Sequence, residues 1–161
     1  MADGSLAVAD TGRSRIVFFN PDGSLRGEIG QIGPGPGQFG EPTDVLADSF
    51  GTYFVAEADN NRIQRVDAVG YPLGLWAIPP TYAFNGPHLT AGPDGSIFAT
   101  EVQSQSIFRY RPEGELLNQW QQIGPVTLVG PVGIYFDPPT NRLYVTDVST
   151  HQIYVFEVVA Q

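Results

Sequence analysis

Residues 55 to 70 read VAEADNNRIQRVDAVG, and the same sixteen-residue frame occurs three more times without a gap. It stands at residues 8 to 23 (VADTGRSRIVFFNPDG), 99 to 114 (ATEVQSQSIFRYRPEG) and 145 to 160 (VTDVSTHQIYVFEVVA). Each copy has a small or β-branched pair, an acid (Asp10, Glu57, Glu101, Asp147), and an isoleucine six residues after it (Ile16, Ile63, Ile107, Ile153). Successive copies are offset by 47, 44 and 46 residues. A period of this length, built from strand-like segments, marks a stack of supersecondary units that share a core with their neighbours.

Working outward from the frame, turn signals and apolar alternation place strands at 5–10, 15–20 and 25–29, then at 44–47, 53–56, 62–67 and 73–78. The third repeat puts them at 89–91, 96–100, 106–111 and 116–121, and the fourth at 133–136, 143–146 and 152–157. That makes three, four, four and three strands, 14 in all. Pro21-Asp22-Gly23, Asp94-Gly95 and Glu113-Gly114 supply hairpin turns. Ile16, Phe18, Ile63, Val66, Ile107, Phe108, Tyr110, Ile153, Val155 and Phe156 are expected mostly between sheets, with Trp76 and Trp120 on outer strands. Gly30 to Pro42 is expected to be a surface connection without regular structure. No helical period of useful length occurs.

Composition narrows the partners. Eight basic residues, all arginine, stand against 17 acids for a net charge of −9. Such a chain repels phosphate backbones and anionic lipid, so neither nucleic acid nor direct membrane insertion is expected. Cysteine is absent, which removes disulfides, thiolate catalysis and Cys-ligated zinc. Met1 to Gly4 carries no basic-then-apolar pattern of a signal peptide, and no apolar run approaches the ~18 residues that span a bilayer. The chain is expected to be soluble, with its compartment unknown.

At Gln38-Phe39-Gly40-Glu41-Pro42-Thr43-Asp44-Val45, continuing through Val55-Ala56-Glu57 and Asn61-Arg62-Ile63 to Gly70, the chain resembles the NHL-repeat β-propellers. Parts of that motif recur in every repeat. The resemblance implies an all-β propeller of four-stranded antiparallel blades in a single domain, residues 1–161. It comprises about four NHL-like repeats at 1–42, 43–87, 88–131 and 132–161, the first and last incomplete. Such a set forms either an open arc or a ring closed by oligomerisation, so a homodimer or higher homo-oligomer is among the expected states. The resemblance also allows a bacterial extracytoplasmic location.

The same architecture hosts recognition domains, lyases and lactonases, so function rests on the site. The repeated acids read as fold elements, accepting loop N–H groups or pairing with Arg15 and Arg62. No nucleophile-elbow or phosphate-loop motif is present, and no catalytic residue is assigned. In the amidating lyases, a propeller subgroup of that family, a Pro-His pair in several blades supplies zinc ligands. Pro87-His88 matches that pair, while Thr43 and Val132 stand at the equivalent positions. His88 is thus the one metal candidate; no cofactor is expected, the alternative being zinc or calcium in the central channel. The long connections and loops of one face gather Arg13, Phe39, Asn60, Tyr82, Phe84, His88, Gln103 and His151 as candidate ligand contacts. The expectation is non-catalytic recognition of a protein, peptide or glycan through this face. The alternatives are a metal-dependent lyase or lactonase-type enzyme and a self-assembling structural module.

Overall fold

The computed structural model describes residues 4–80 and 86–158, and the chain divides into two compact units, Met1–Phe84 and Asn85–Gln161. Among the described residues every sheet is antiparallel, with strands in chain order. In the first unit, β1 (Leu6–Asp10), β2 (Arg15–Phe19) and β3 (Leu25–Ile29) form one sheet. Its second sheet comprises β4 (Pro42–Ala47), β5 (Tyr53–Glu57), β6 (Arg62–Val66) and β7 (Pro72–Ala77). The second unit opens with β8 (Leu89–Ala91), β9 (Ile97–Glu101), β10 (Ser106–Tyr110) and β11 (Leu116–Trp120). A small hairpin follows, β12 (Gln122–Ile123) with β13 (Val126–Thr127). The closing sheet is β14 (Pro131–Asp137), β15 (Arg142–Asp147) and β16 (Gln152–Glu157).

The local chemistry explains the repeated meander. Alternating side chains give each strand two distinct faces. Aspartates at strand ends then hold the turns: Asp67 Oδ1 accepts the N–H groups of Val69 and Tyr71 at 2.9 and 2.8 Å, and Asp48 Oδ1 does the same for Phe50 and Thr52. The pairing of β2 with β3, β6 with β7 and β10 with β11 shifts register at the same place, at Phe18/Phe19, Arg65/Val66 and Arg109/Tyr110. The first three repeats therefore share this irregularity residue for residue, not merely a similar strand count.

Within each unit the two large sheets pack face to face. Ile16, Phe18 and Ile29 meet Tyr53, Val55 and Val66 in the first, while Phe98 and Ile107 meet Phe136, Leu143 and Val145 in the second. Trp120 on the last strand of its sheet stacks on Phe98, with ring centroids 6.3 Å apart.

The structure departs from the sequence reading in three places. The connection after β3 is ordered: Ile32 bridges Phe39, and Phe39 is 0% exposed within the first unit's core. Residues 122–127, which follow the strand read at 116–121, form the β12–β13 hairpin, giving 16 strands among the described residues. Gly124 at φ +58 followed by Pro125 suits the tight turn between them. Ile153 and Val155 are exposed rather than enclosed, because no sheet covers their face among the described residues. A three-residue 3-10 turn, Thr11–Arg13, is the other addition.

Candidate functional site

Each repeated acid ends a strand and faces the loop that follows it. In the first unit, Asp10 accepts from Arg15 Nε at 2.9 Å and lies 3.6 Å from Arg13. The Arg15 hydrogen bond holds the Asp10 carboxyl below its ordinary range. Glu57 is fully buried and accepts from Gly40 N–H at 2.9 Å, Asn60 Nδ2 at 2.6 Å, Arg62 Nε at 2.8 Å and Gln64 Nε2 at 3.1 Å.

Arg62 continues outward, donating to the carbonyls of Pro34, Gly35 and Gln38 at 2.6, 3.1 and 2.8 Å. Gln64 accepts from Gly37 N–H at 2.6 Å, and Asn60 donates to Gly33 O at 3.0 Å. One buried ion pair thus pins the whole Gly/Pro-rich connection to its sheet.

In the second unit no arginine stands five residues after the acid; Ser106 and Gln152 do. The loop backbone takes its place. Glu101 accepts from Gln103 and Ser104 N–H at 2.9 and 2.5 Å. Asp147 accepts from Val129, Gly130, Ser149 and Thr150 N–H at 2.8, 3.1, 3.1 and 3.0 Å. Burial pushes the Asp147 carboxyl up, but the hydrogen bonds from Val129, Gly130 and Thr150 outweigh it and leave the carboxyl below its ordinary range.

The expected contact residues fall into distinct settings. Arg13 is exposed beside Asp10, and Gln103 and His151 are exposed on loops of the second unit. His151 sits at φ +56, and Ser14, Asn61 and Gln105 occupy the equivalent corner at +51, +51 and +55. His151 therefore holds a left-handed corner that every repeat needs, whatever else its ring does. Asn60 is committed to Glu57 and Gly33. Phe39 is corrected outright: a side chain sealed in the core has no surface with which to meet a ligand. Tyr82 and Phe84 lie outside the described residues. His88 is half-buried immediately before β8; its backbone N–H donates to Thr100 Oγ1 at 3.3 Å, and that hydroxyl donates to Val132 O at 2.5 Å.

Among the described residues no three His, Asp or Glu side chains gather closely enough to hold a metal ion. The repeated acids already accept N–H groups, so these residues do not form the donor set that zinc or calcium takes. Elsewhere in the second unit, a cavity of about 220 Å³ is lined by Phe98, Arg109, Trp120, Leu143 and Phe156 among others. Arg109 lies over Phe98, 5.5 Å from its ring centroid, and donates to Asp94 at 2.8 Å and Ser96 at 3.0 Å.

The sequence showed the acid-to-arginine spacing at Asp10/Arg15 and Glu57/Arg62, which forms as expected. It missed Gln64 and the Asp94–Arg109 pair. The equivalence of Arg65 and Arg109 across repeats would have drawn attention to the latter.

The NHL repeat family matches residues 128–156, spanning β14, β15 and most of β16. No curated protein matches the chain by sequence. Among solved structures, the fold is similar to virginiamycin B lyase from Staphylococcus aureus, in an inactive variant with quinupristin. Identity there is 21%, TM-score 0.65, with 99% of this chain and 54% of that one covered. A streptogramin B lyase matches at 19% identity and TM-score 0.67, with 99% and 53% covered. Hydrazine synthase from Kuenenia stuttgartiensis matches at 11% and 0.67, with 96% and 46% covered. The chain spans about half the length of these structures. The likeness is one of fold: all-β, propeller-type, built of antiparallel meanders.

Proposed function

We propose that this NHL-repeat chain is a non-catalytic recognition module that binds a protein, peptide or glycan through the loops following its repeated acids. The observation that supports it most is the way those loops are held. Glu101 accepts the N–H groups of Gln103 and Ser104, and Asp147 those of Ser149 and Thr150 in its own loop and of Val129 and Gly130 in the connection before it, while Arg13, Gln103 and His151 remain exposed on the loops after Asp10, Glu101 and Asp147. Preorganised loops with polar contacts lose little entropy on binding, the arrangement that recognition surfaces on rigid scaffolds use.

The test is a screen of the immobilised chain against peptide and glycan arrays, with each hit measured again on Arg13→Ala, Gln103→Ala and His151→Asn. Binding that weakens in at least one variant supports the reading. Hits indifferent to all three, or no hit in either array, reject it.

A second reading, a lyase or lactonase-type enzyme, draws on the likeness to the two lyases and on the Pro87-His88 pair. It predicts that the chain consumes intact quinupristin, followed by chromatography, and that His88→Ala does not. Stable quinupristin over long incubation, with and without added zinc, removes that substrate from consideration.

A further inference from the structure

The pairing registers make the repeats interchangeable. Leu6, Tyr53, Ile97 and Leu143 stand opposite Phe19, Val66, Tyr110 and Phe156, so they share one position. Phe18, Arg65, Arg109 and Val155 share another, each opposite Ala7, Phe54, Phe98 or Tyr144. Ile16, Ile63, Ile107 and Ile153 share a third, on the same face as the second. In the first unit this isoleucine face packs onto the Tyr53 face of the next sheet, the Phe18 and Tyr53 rings being 4.9 Å apart. In the second unit the equivalent pair, Arg109 and Leu143, borders one cavity.

Two faces have no such counterpart among the described residues. Ile153 is 66% exposed, although Ile16, Ile63 and Ile107 are each 0% exposed. Leu6 is 58% exposed, although Tyr53, Ile97 and Leu143 are at 5%, 2% and 3%. Val155 and Tyr135 extend the first bare face, and Val8 extends the second. Both are apolar surfaces with the registers of a sheet-to-sheet interface that this chain already makes twice. The partner that the Ile153 face fits is therefore another Leu6 face, and a second copy of the chain carries one uncovered.

We propose that the β14–β16 face of one copy packs on the β1–β3 face of a second, head to tail, with Val155 meeting Leu6 as Phe18 meets Tyr53. The contact is heterologous, continuing the stacking within each unit rather than repeating one patch across a two-fold axis. It is independent of the loop-face reading.

The absence of cysteine makes the test direct. Val155→Cys and Leu6→Cys chains are mixed in equal amounts and treated with a short bifunctional maleimide. Mixed cross-links well beyond the roughly twofold excess over either like pair that random pairing gives are expected. Mixed cross-links at or below that excess overturn the proposal. In parallel, Ile153→Arg, a change at an exposed position checked for folding by circular dichroism, is expected to weaken self-association about a hundredfold by placing an unpaired charge in the contact. Association unchanged in that variant, or a wild-type chain monomeric at every concentration reached, also overturns it; the bare faces would then belong to a different partner or to further repeats.

Discussion

Asp147 closes the loop end of the last sheet by accepting four backbone N–H groups, and its charge is what makes it fit. Asp147→Asn keeps the shape but turns an amide donor toward donors, so a loss of about 1–3 kcal/mol in urea unfolding at pH 7 is expected. The pH dependence has a definite sign. Because the folded carboxyl lies below its ordinary value of 3.8, its contribution is complete above that value and disappears as pH falls through the lower folded one. Wild type should thus lose more stability than Asp147→Asn between neutral pH and pH values below 3.8, and equal losses would refute the assignment. His151 tests the backbone separately. With φ at +56, His151→Val should cost about 1–2 kcal/mol, whereas His151→Asn, a residue at ease in that corner, should change thermal stability little.

Among the elements, the connection after β3 carries the sharpest expectation. Glu57→Ala strands the Arg62 guanidinium in a buried site, a change of about 3–5 kcal/mol, and releases the carbonyls of Pro34, Gly35 and Gln38 from their anchor. Under native conditions thermolysin should spare the wild-type bond before Phe39 and cut it rapidly in the variant, with mass spectrometry locating the site. Equal cleavage in both would show that the network does not hold the segment. The strands themselves were legible from residues such as Arg62 to Val66, where alternation and a turn aspartate agree. The connection was not, because its order comes from Arg62 and Gln64, distant in sequence, and from a single aromatic among glycines and prolines. Likewise the β12–β13 pair is too short to show a period, and only Gly124-Pro125 hints at its turn.

For the whole molecule, the net charge of −9 opposes any association of like chains. If the bare apolar faces drive association, added salt should screen that repulsion and strengthen the self-association measured by sedimentation equilibrium between low and physiological ionic strength. Weakening with salt would point to ion pairs instead. The sequence made the repeat, its register and the fold legible at this scale, since each rests on patterns repeated four times; the choice of ligand rests on surface residues that no repeat dictates. The strand order has one more consequence. Among the described residues each sheet joins only strands adjacent along the chain, so none of these pairings waits for a distant segment, and their loop closures are short. The first meander can therefore assemble on the ribosome while the last is still being translated, and folding can begin at several points along the chain rather than at a single nucleus.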